Sequence, residues 1–585
     1  MLTGIINQPC SYGVVKYIYI QVTWTRSVFF FFFSLLYVHL ITVRPYSVIR
    51  CSVIFRFSCD TYKIVGQTAR IMFNTKINHK TVFKTQYMRI CSIISGYRLR
   101  YLHKQSPNCD KLMNFNDIPG PKSYPILGTL HKYVPIVGEY NAEALDKIAW
   151  LNWRRYGGLV KEVPGVNLLH VYEPEVIEAV FRQDDRHPSR RSHVAMLHYR
   201  LSKPNMYNTG GLLSTNGPDW WRLRSTFQKN FTGPQNAKQY VECADKVACE
   251  FVDWIKKIEL LHEEDFLKYL NRLYLEVIGV VAMNERFNSF SMEEQKPESR
   301  SSRVIAAAFG SNSGIMKLDK GILWRFFKTP LYKRLVESQQ FLEKISTEIL
   351  INKISFFGKG RKGEGNSLLD SFLKQPNLDI KDVTGMMVDI LMAAIDTTAY
   401  STSFALYHLA RNPDCQRKLY NEVSKLLSPR NTLTSDVLSK AVYLRSCVKE
   451  SLRLNPVSVG VGRLLQKDIV LKGYLIPQGT VIVTQNMVAS RLPQYVKDPL
   501  VFKPERWIRD SSQYENIHPF LSLPFGFGPR SCIARRIAEQ NMYIILFRLV
   551  QEFEMKWMGG DLGIRTLLIN KPDKPISLSF TPRRK

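Results

Sequence analysis

One cysteine stands out because of what surrounds it. Residues 524–539 read PFGFGPRSCIARRIAE, so a loop of glycine and proline delivers Cys532 to the first turn of a helical pattern that continues as QNMYIILFRLVQEF. Unpaired amides and the positive end of a helix favour a thiolate at such a place. Gly526 and Gly528 would let the backbone approach a flat surface, and Arg530 offers a permanent cation beside the sulfur. Two chemistries suit this cysteine, nucleophilic attack and metal ligation. No histidine or acid lies nearby to act as a base, so the thiolate ligand is the stronger reading. The other nine cysteines are scattered and include no CxxC pair, which fits a reducing compartment and gives no zinc or dithiol signature.

The elements that must hold this loop are mostly helical. The longest pattern runs over Ile380–Arg411, with one internal glycine, Gly385, and no proline until Pro413. At 1.5 Å per residue it spans about 45 Å, enough to cross a large domain. Strand-like segments are short: LLHVY at 168–172, and 469–484, where IVLKGYLIP and TVIVT flank Gln478-Gly479. A turn at Asp117-Ile-Pro-Gly-Pro-Lys122 marks a domain entrance. From there to Lys585 no linker, repeat or long charge block intervenes, so residues 110–585 are expected to form one mainly α domain with a small sheet.

The composition of the 585 residues, 45% hydrophobic and 22% charged, provides for a sizeable core and excludes a disordered polyelectrolyte. A net charge of +31 invites nucleic acid, an anionic membrane or an acidic protein as partner. Its distribution narrows the choice. Residues 1–109 hold 14 Lys and Arg against one acid, Asp60, a net +13, which leaves +18 for the remainder. Residues 72–108 carry seven cations and no acid, as an organelle transit peptide does. The apolar run 27–43 falls just short of the ~20 residues that span a bilayer. The leader is therefore expected to be a mitochondrial targeting segment; a membrane anchor, or upstream sequence ahead of a start at Met72 or Met88, are the alternatives.

The string FGFGPRSC resembles the haem-binding loop FxxGxRxC of the cytochrome P450 family, with Phe525, Gly528, Arg530 and Cys532 at its defining positions. Company in the same order strengthens the resemblance. Glu450-Ser-Leu-Arg453 is similar to the family's ExxR, whose spacing puts acid and base on one helical face. Residues 502–507 (FKPERW) resemble its PERW, whose Arg506 would complete an ion network with Glu450 and Arg453. Ala393-Ala-Ile-Asp-Thr-Thr398 resembles AGxDTT, making Asp396 and Thr397 the implied proton-relay acid and alcohol. Trp220 and Arg224 are similar to the pair that holds a haem propionate, with Arg463 and Arg530 as further contacts. Two residues depart from the pattern: Ala394 and Ala534 stand where the family usually has glycine.

The resemblance covers residues 115–585 and implies the P450 fold, a large helix-rich lobe plus a small β-rich lobe around a buried haem. It implies haem b with an axial thiolate from Cys532, and a monooxygenase that inserts one atom of dioxygen into a C–H bond. No dinucleotide fingerprint is evident, so electrons must come from a separate donor. The mitochondrial branch shares a basic pair before ExxR, Arg445 and Lys449, and an RRIAE-like string with Arg535 and Arg536 after the cysteine. There the donor is an adrenodoxin-like [2Fe–2S] ferredoxin, reduced by NADPH through a reductase. The stretches RRSHVAMLHYR, YNTGGLLSTNGPDWW, SRSSRVIAAAF and FFKTPLYKRL are similar to arthropod ecdysteroid 22-hydroxylases. That implies C22 hydroxylation of an ecdysone precursor, a substrate pocket lined by 192–213 and 457–462, and residence on the matrix side of the inner mitochondrial membrane. The alternatives are another ecdysteroid position, a xenobiotic substrate, or the endoplasmic reticulum. No zinc, DNA-binding or RNA-binding signature appears, so nucleic acid is not expected as a partner.

Overall fold

The computed structural model describes residues 112–583, apart from 135, 137, 259–263, 322 and 359–366, together with five short strands between Ile5 and Phe73. The chain divides into two units, Met1–Asp110 and Lys111–Lys585. In the first, Phe32–Ile41 pairs antiparallel with Arg50–Ser58, and that strand with Arg70–Phe73. Part of the apolar run 27–43 is thus extended backbone. Residues 74–108, most of the acid-free stretch, lie outside the described residues. Among the described residues no helix is long and apolar enough to cross a membrane.

Nine helices of the second unit position the site: α1 (Val194–Leu201), α2 (Gly217–Thr232), α3 (Val241–Lys257), α4 (Leu267–Ile278), α5 (Arg300–Lys320), α6 (Pro330–Gly358), α7 (Ile380–Arg411), α8 (Val442–Leu454) and α9 (Arg535–Glu552). The long helix has the bounds its sequence suggests. Asp379 caps its start by accepting the Asp382 N–H at 2.8 Å, and Pro413 opens the following helix, where a missing N–H costs nothing. It is apolar nearly all round, the pattern of a helix buried on every side. Helices α4, α5, α6, α8 and α9 pack against it, and Leu391, Ile395, Phe404, Leu406 and Leu546 belong to one continuous core.

The small lobe is built on a four-stranded sheet of β1 (Leu159–Glu162), β2 (Leu168–Val171), β3 (Val461–Leu464) and β4 (Val481–Thr484) in the order β1-β2-β4-β3. Strands β2 and β4 run parallel and the outer pairs antiparallel. Its own core includes Leu169, Ile177, Phe181, Ile482 and Phe520. The architecture is therefore the expected large helical lobe with a small β lobe. Within the strand-like stretch 469–477 the chain folds back as a hairpin of Ile469–Leu471 and Tyr474–Ile476, turning on Lys472-Gly473 with φ of 50° and 82°, and Gln478-Gly479 is a second turn ahead of β4. Two successive positive φ values suit the twist of a two-residue hairpin.

Candidate active site

Cys532 lies three residues ahead of α9, outside its first turn, because Ala534 takes the N-cap position. Its N–H donates to the Phe525 carbonyl at 2.8 Å, which closes the loop. Gly526 and Gly528 have φ of 73° and 72°, a conformation that favours glycine. Burial pushes the Cys532 thiol up, while the Ala534 amide and the Arg224 guanidinium pull it down. Yet the residue as a whole is exposed.

The cation beside that sulfur is Arg224, whose Nη1 donates to the Ser531 carbonyl at 2.8 Å. Arg530, expected to fill this role from sequence, turns away. It donates to the Pro188 and Thr215 carbonyls at 2.8 and 2.6 Å and lies 4.0 Å over the Trp220 ring. Those carbonyls and the aromatic face satisfy a guanidinium better than a neutral thiol does.

Arg190, Arg224, Arg463 and Arg530 form a cluster of cations at this edge. Burial, then the charges of Arg190, Arg463 and Arg224, push Arg530 down to about 8; burial and the charges of Arg463 and Arg224 push Arg190 down to about 10. Asp184, 2.8 Å from Arg463, is the only carboxylate in ion-pair contact with any of the four among the described residues. Arg463 also donates to the Phe527 carbonyl at 2.8 Å, and Arg190 to that of Leu213 at 3.1 Å. Arg530 Nη1 is buried with no hydrogen-bond partner, a state that calls for an acceptor. An exposed cysteine and an unsatisfied guanidinium edge fit haem b, which brings an iron for the one and two carboxylates for the other. Sequence reasoning missed Arg190, since nothing in its spacing marks it and only the tertiary fold brings it to the cluster.

On α7, Ala393, Ala394 and Thr397 are partly accessible within an otherwise buried stretch, which defines one face at helical spacing. The Ala394 methyl belongs to that face. The Thr397 hydroxyl donates to the Ala393 carbonyl at 2.7 Å, leaving its lone pairs to accept. Asp396 is buried, and its Oδ2 accepts from Asn312 Nδ2 on α5 at 3.1 Å. Burial pushes its carboxyl up to about 6 against the opposing pull of Asn312 and Lys571. No hydrogen bond joins Asp396 to Thr397 among the described residues, because consecutive residues do not share a helix face.

Beneath lies the ion network. Arg453 donates to both Glu450 oxygens at 2.9 and 2.8 Å, and Arg506 Nε to Oε1 at 2.9 Å, all three side chains being fully buried. Trp507 Nε1 and the Lys503 N–H complete the carboxylate's shell at 2.9 and 3.2 Å. The remaining guanidinium hydrogens go to the Ser490, Pro499, Lys497, Asp498 and Val501 carbonyls and to Glu515.

Lys449, Arg535 and Arg536 are exposed. They gather around Glu539, whose carboxyl burial raises and all three cations lower; Arg445 and Arg535 act likewise on Tyr543. Of the two expected pocket segments, 458–462 is partly accessible. Much of 192–213 is tied into the core: Arg200 pairs with Asp389 at 2.7 Å, and Lys203 and Tyr207 reach Glu343, both at 2.8 Å.

Residues 118–580 match the family model for cytochrome P450. The chain belongs to the cytochrome P450 family, whose members carry haem iron held by a thiolate. It is 42% identical over 487 residues to cytochrome P450 302a1, mitochondrial, of Drosophila melanogaster, covering 82% of this chain and 98% of that protein. It is 30% identical to the probable cytochrome P450 301a1, mitochondrial, of the same fly, over 80% and 87% of the two chains. Ecdysone 20-monooxygenase, also from Drosophila melanogaster, is 27% identical over 80% and 88%.

Proposed function

We propose that this P450 monooxygenase is a mitochondrial, ferredoxin-driven steroid hydroxylase acting at C22 of an ecdysone precursor. The observation that carries the site is the exposure of Cys532 below a guanidinium cluster with an unpartnered Arg530 hydrogen. In this reading Cys532 ligates the iron, and Trp220, Arg224, Arg463 and Arg530, joined by Arg190, hold the carboxylate edge of the haem. Phe525 and Gly528 shape the loop. Held there, haem would supply the activation of dioxygen, which with two electrons and two protons gives one oxygen atom to a C–H bond and the other to water. Asp396 stores a proton at its carboxyl, and Thr397 offers an acceptor at the accessible face of α7. Burial keeps bulk water from Asp396, while Thr397 stays partly accessible.

Electrons come from NADPH through a reductase and a small acidic [2Fe–2S] ferredoxin. The cations Arg445, Lys449, Arg535 and Arg536 support a docking face of complementary charge. Reversing Lys449 and Arg536 to Glu is expected to slow ferredoxin association at least ~10-fold at low salt, the gap closing as salt rises. A leader with 14 cations against one acid and relatives named as mitochondrial support that compartment, and a reporter fused to residues 1–115 tests it against the endoplasmic reticulum. Exposed Leu323, Phe326 and Phe327, set among Lys320, Arg325 and Lys328, support contact with an anionic membrane surface.

The C22 assignment is supported by the resembling stretches and by 42% identity along nearly the whole of a mitochondrial relative. A second reading, oxidation at another ecdysteroid position, is favoured by the similarity to ecdysone 20-monooxygenase. Incubating the reconstituted enzyme with a 22-deoxy precursor separates them. Absence of any product oxidised at C22 would refute the first.

A further inference from the structure

We propose that Asn312 is the positioning residue for Asp396: its side-chain amide holds that carboxylate on the side of α7 away from Thr397 and governs how readily it takes up a proton. This rests on the reading of Asp396 as the proton store. Asn312 is buried, and its Nδ2 donates to the Met392 carbonyl at 2.9 Å and to Asp396 Oδ2 at 3.1 Å. Both partners only accept, so the amide has one orientation that satisfies them. Met392 and Asp396 stand four residues apart, so the clamp spans one turn of α7 and ties it to α5. Among the described residues Asn312 is the only hydrogen-bond donor to the Asp396 side chain.

The surroundings leave few other influences. Lys571, from the strand Asn570–Pro572, is the cation that acts on Asp396, and Tyr400, one turn along α7, is the other ionisable neighbour. The nearby polar chain passes Asp396 by. Gln339 donates to Ser311 at 3.0 Å and accepts from Arg200 at 3.1 Å, and Arg200 ends on Asp389 at 2.7 Å. Asn312 therefore sets both where Asp396 rests and how firmly it stays charged.

The test uses the full haem-loaded chain and the variants Asn312→Leu, which keeps approximate volume and loses the donor, and Asn312→Gln. The Asp396 carboxyl is titrated by infrared difference spectroscopy, with Asp396→Asn as the blank that identifies its band. Removing a donor to the charged form raises proton affinity, so N312L should move the midpoint alkaline by about one unit or more, at least ~10-fold in affinity. N312Q should recover part of the shift. The pH profile of product formed per NADPH consumed should move the same way in N312L and be insensitive to N312L in the D396N background. An unmoved infrared midpoint in N312L, with only a lowered melting temperature, would overturn the proposal. If D396N retains wild-type coupling, the proton-store reading fails, while the infrared midpoint still decides the positioning role.

Discussion

Glu450→Gln is the change whose cost can be worked most directly from the structure. The carboxylate accepts five hydrogen bonds: Oε1 from Arg453 Nη2, Arg506 Nε and the Lys503 N–H, and Oε2 from Arg453 Nε and Trp507 Nε1. A glutamine keeps the shape but can present its oxygen to only one of these sets. With its NH2 group in the Oε2 position, two donors meet a donor, and buried Arg453 loses its counter-charge while Arg506 keeps Glu515. Two lost hydrogen bonds to a charged group amount to about 3–6 kcal/mol, consistent with the ~3–5 kcal/mol typical of a broken buried ion pair. A folded body of about 470 residues unfolds with an entropy near 1 kcal/mol per K, so the melting temperature should fall by about 3–6 °C. Fluorimetric melting of the haem-loaded chain measures this, with the exposed Lys440→Gln as a control expected to move less than ~1 °C. An E450Q variant melting within ~1 °C of wild type would refute a stabilising role for this network.

Three further outcomes are expected. Cys532→Ala should abolish the red-shifted Soret band of the ferrous carbon monoxide complex, whereas Cys447→Ala should keep it. Arg530→Leu should speed haem transfer to a scavenging apoprotein ~10-fold or more, since one charge-assisted contact is lost, with little change in the melting of the haem-free chain. The third outcome concerns pH and Asp396. Its carboxyl holds a proton to about 6 when folded but only to 3.8 otherwise, so the folded state binds more protons between those values and loses stability as pH rises through them. Asp396→Asn should therefore raise the melting temperature at pH 7.5 by removing a cost of about 2–3 kcal/mol, and the advantage should vanish near pH 4. An advantage that persists unchanged at low pH would refute this origin.

What could be read in the sequence was what local spacing encodes. Glu450 and Arg453 share a helical turn, and the bounds of α7 are written in Asp379 and Pro413. The cysteine loop declares itself through glycines whose φ values are positive. What escaped depends on residues far apart in the chain. Arg190 joins the guanidinium cluster only through tertiary packing, Arg530 points where Pro188 and Thr215 happen to offer carbonyls, and Asn312 meets Asp396 across 84 positions. The hairpin on Lys472-Gly473 was hidden within a stretch that reads as one strand, because the pairing of its two halves is not written in its alternation, and after the turn at Gln478-Gly479 β4 pairs with the distant β2.

Four arginines gathered at one edge, with one carboxylate among them, also tie the folded state to an anionic ligand. Without its cofactor the folded chain bears repulsion that the unfolded chain escapes, so folding and haem capture become one equilibrium. A ligand present at ~1,000 times its Kd adds about 4 kcal/mol to the folded state, comparable to much of a typical protein's stability. Haem scarcity therefore shifts molecules toward the form that proteases destroy, and cellular abundance should follow haem supply even at constant synthesis.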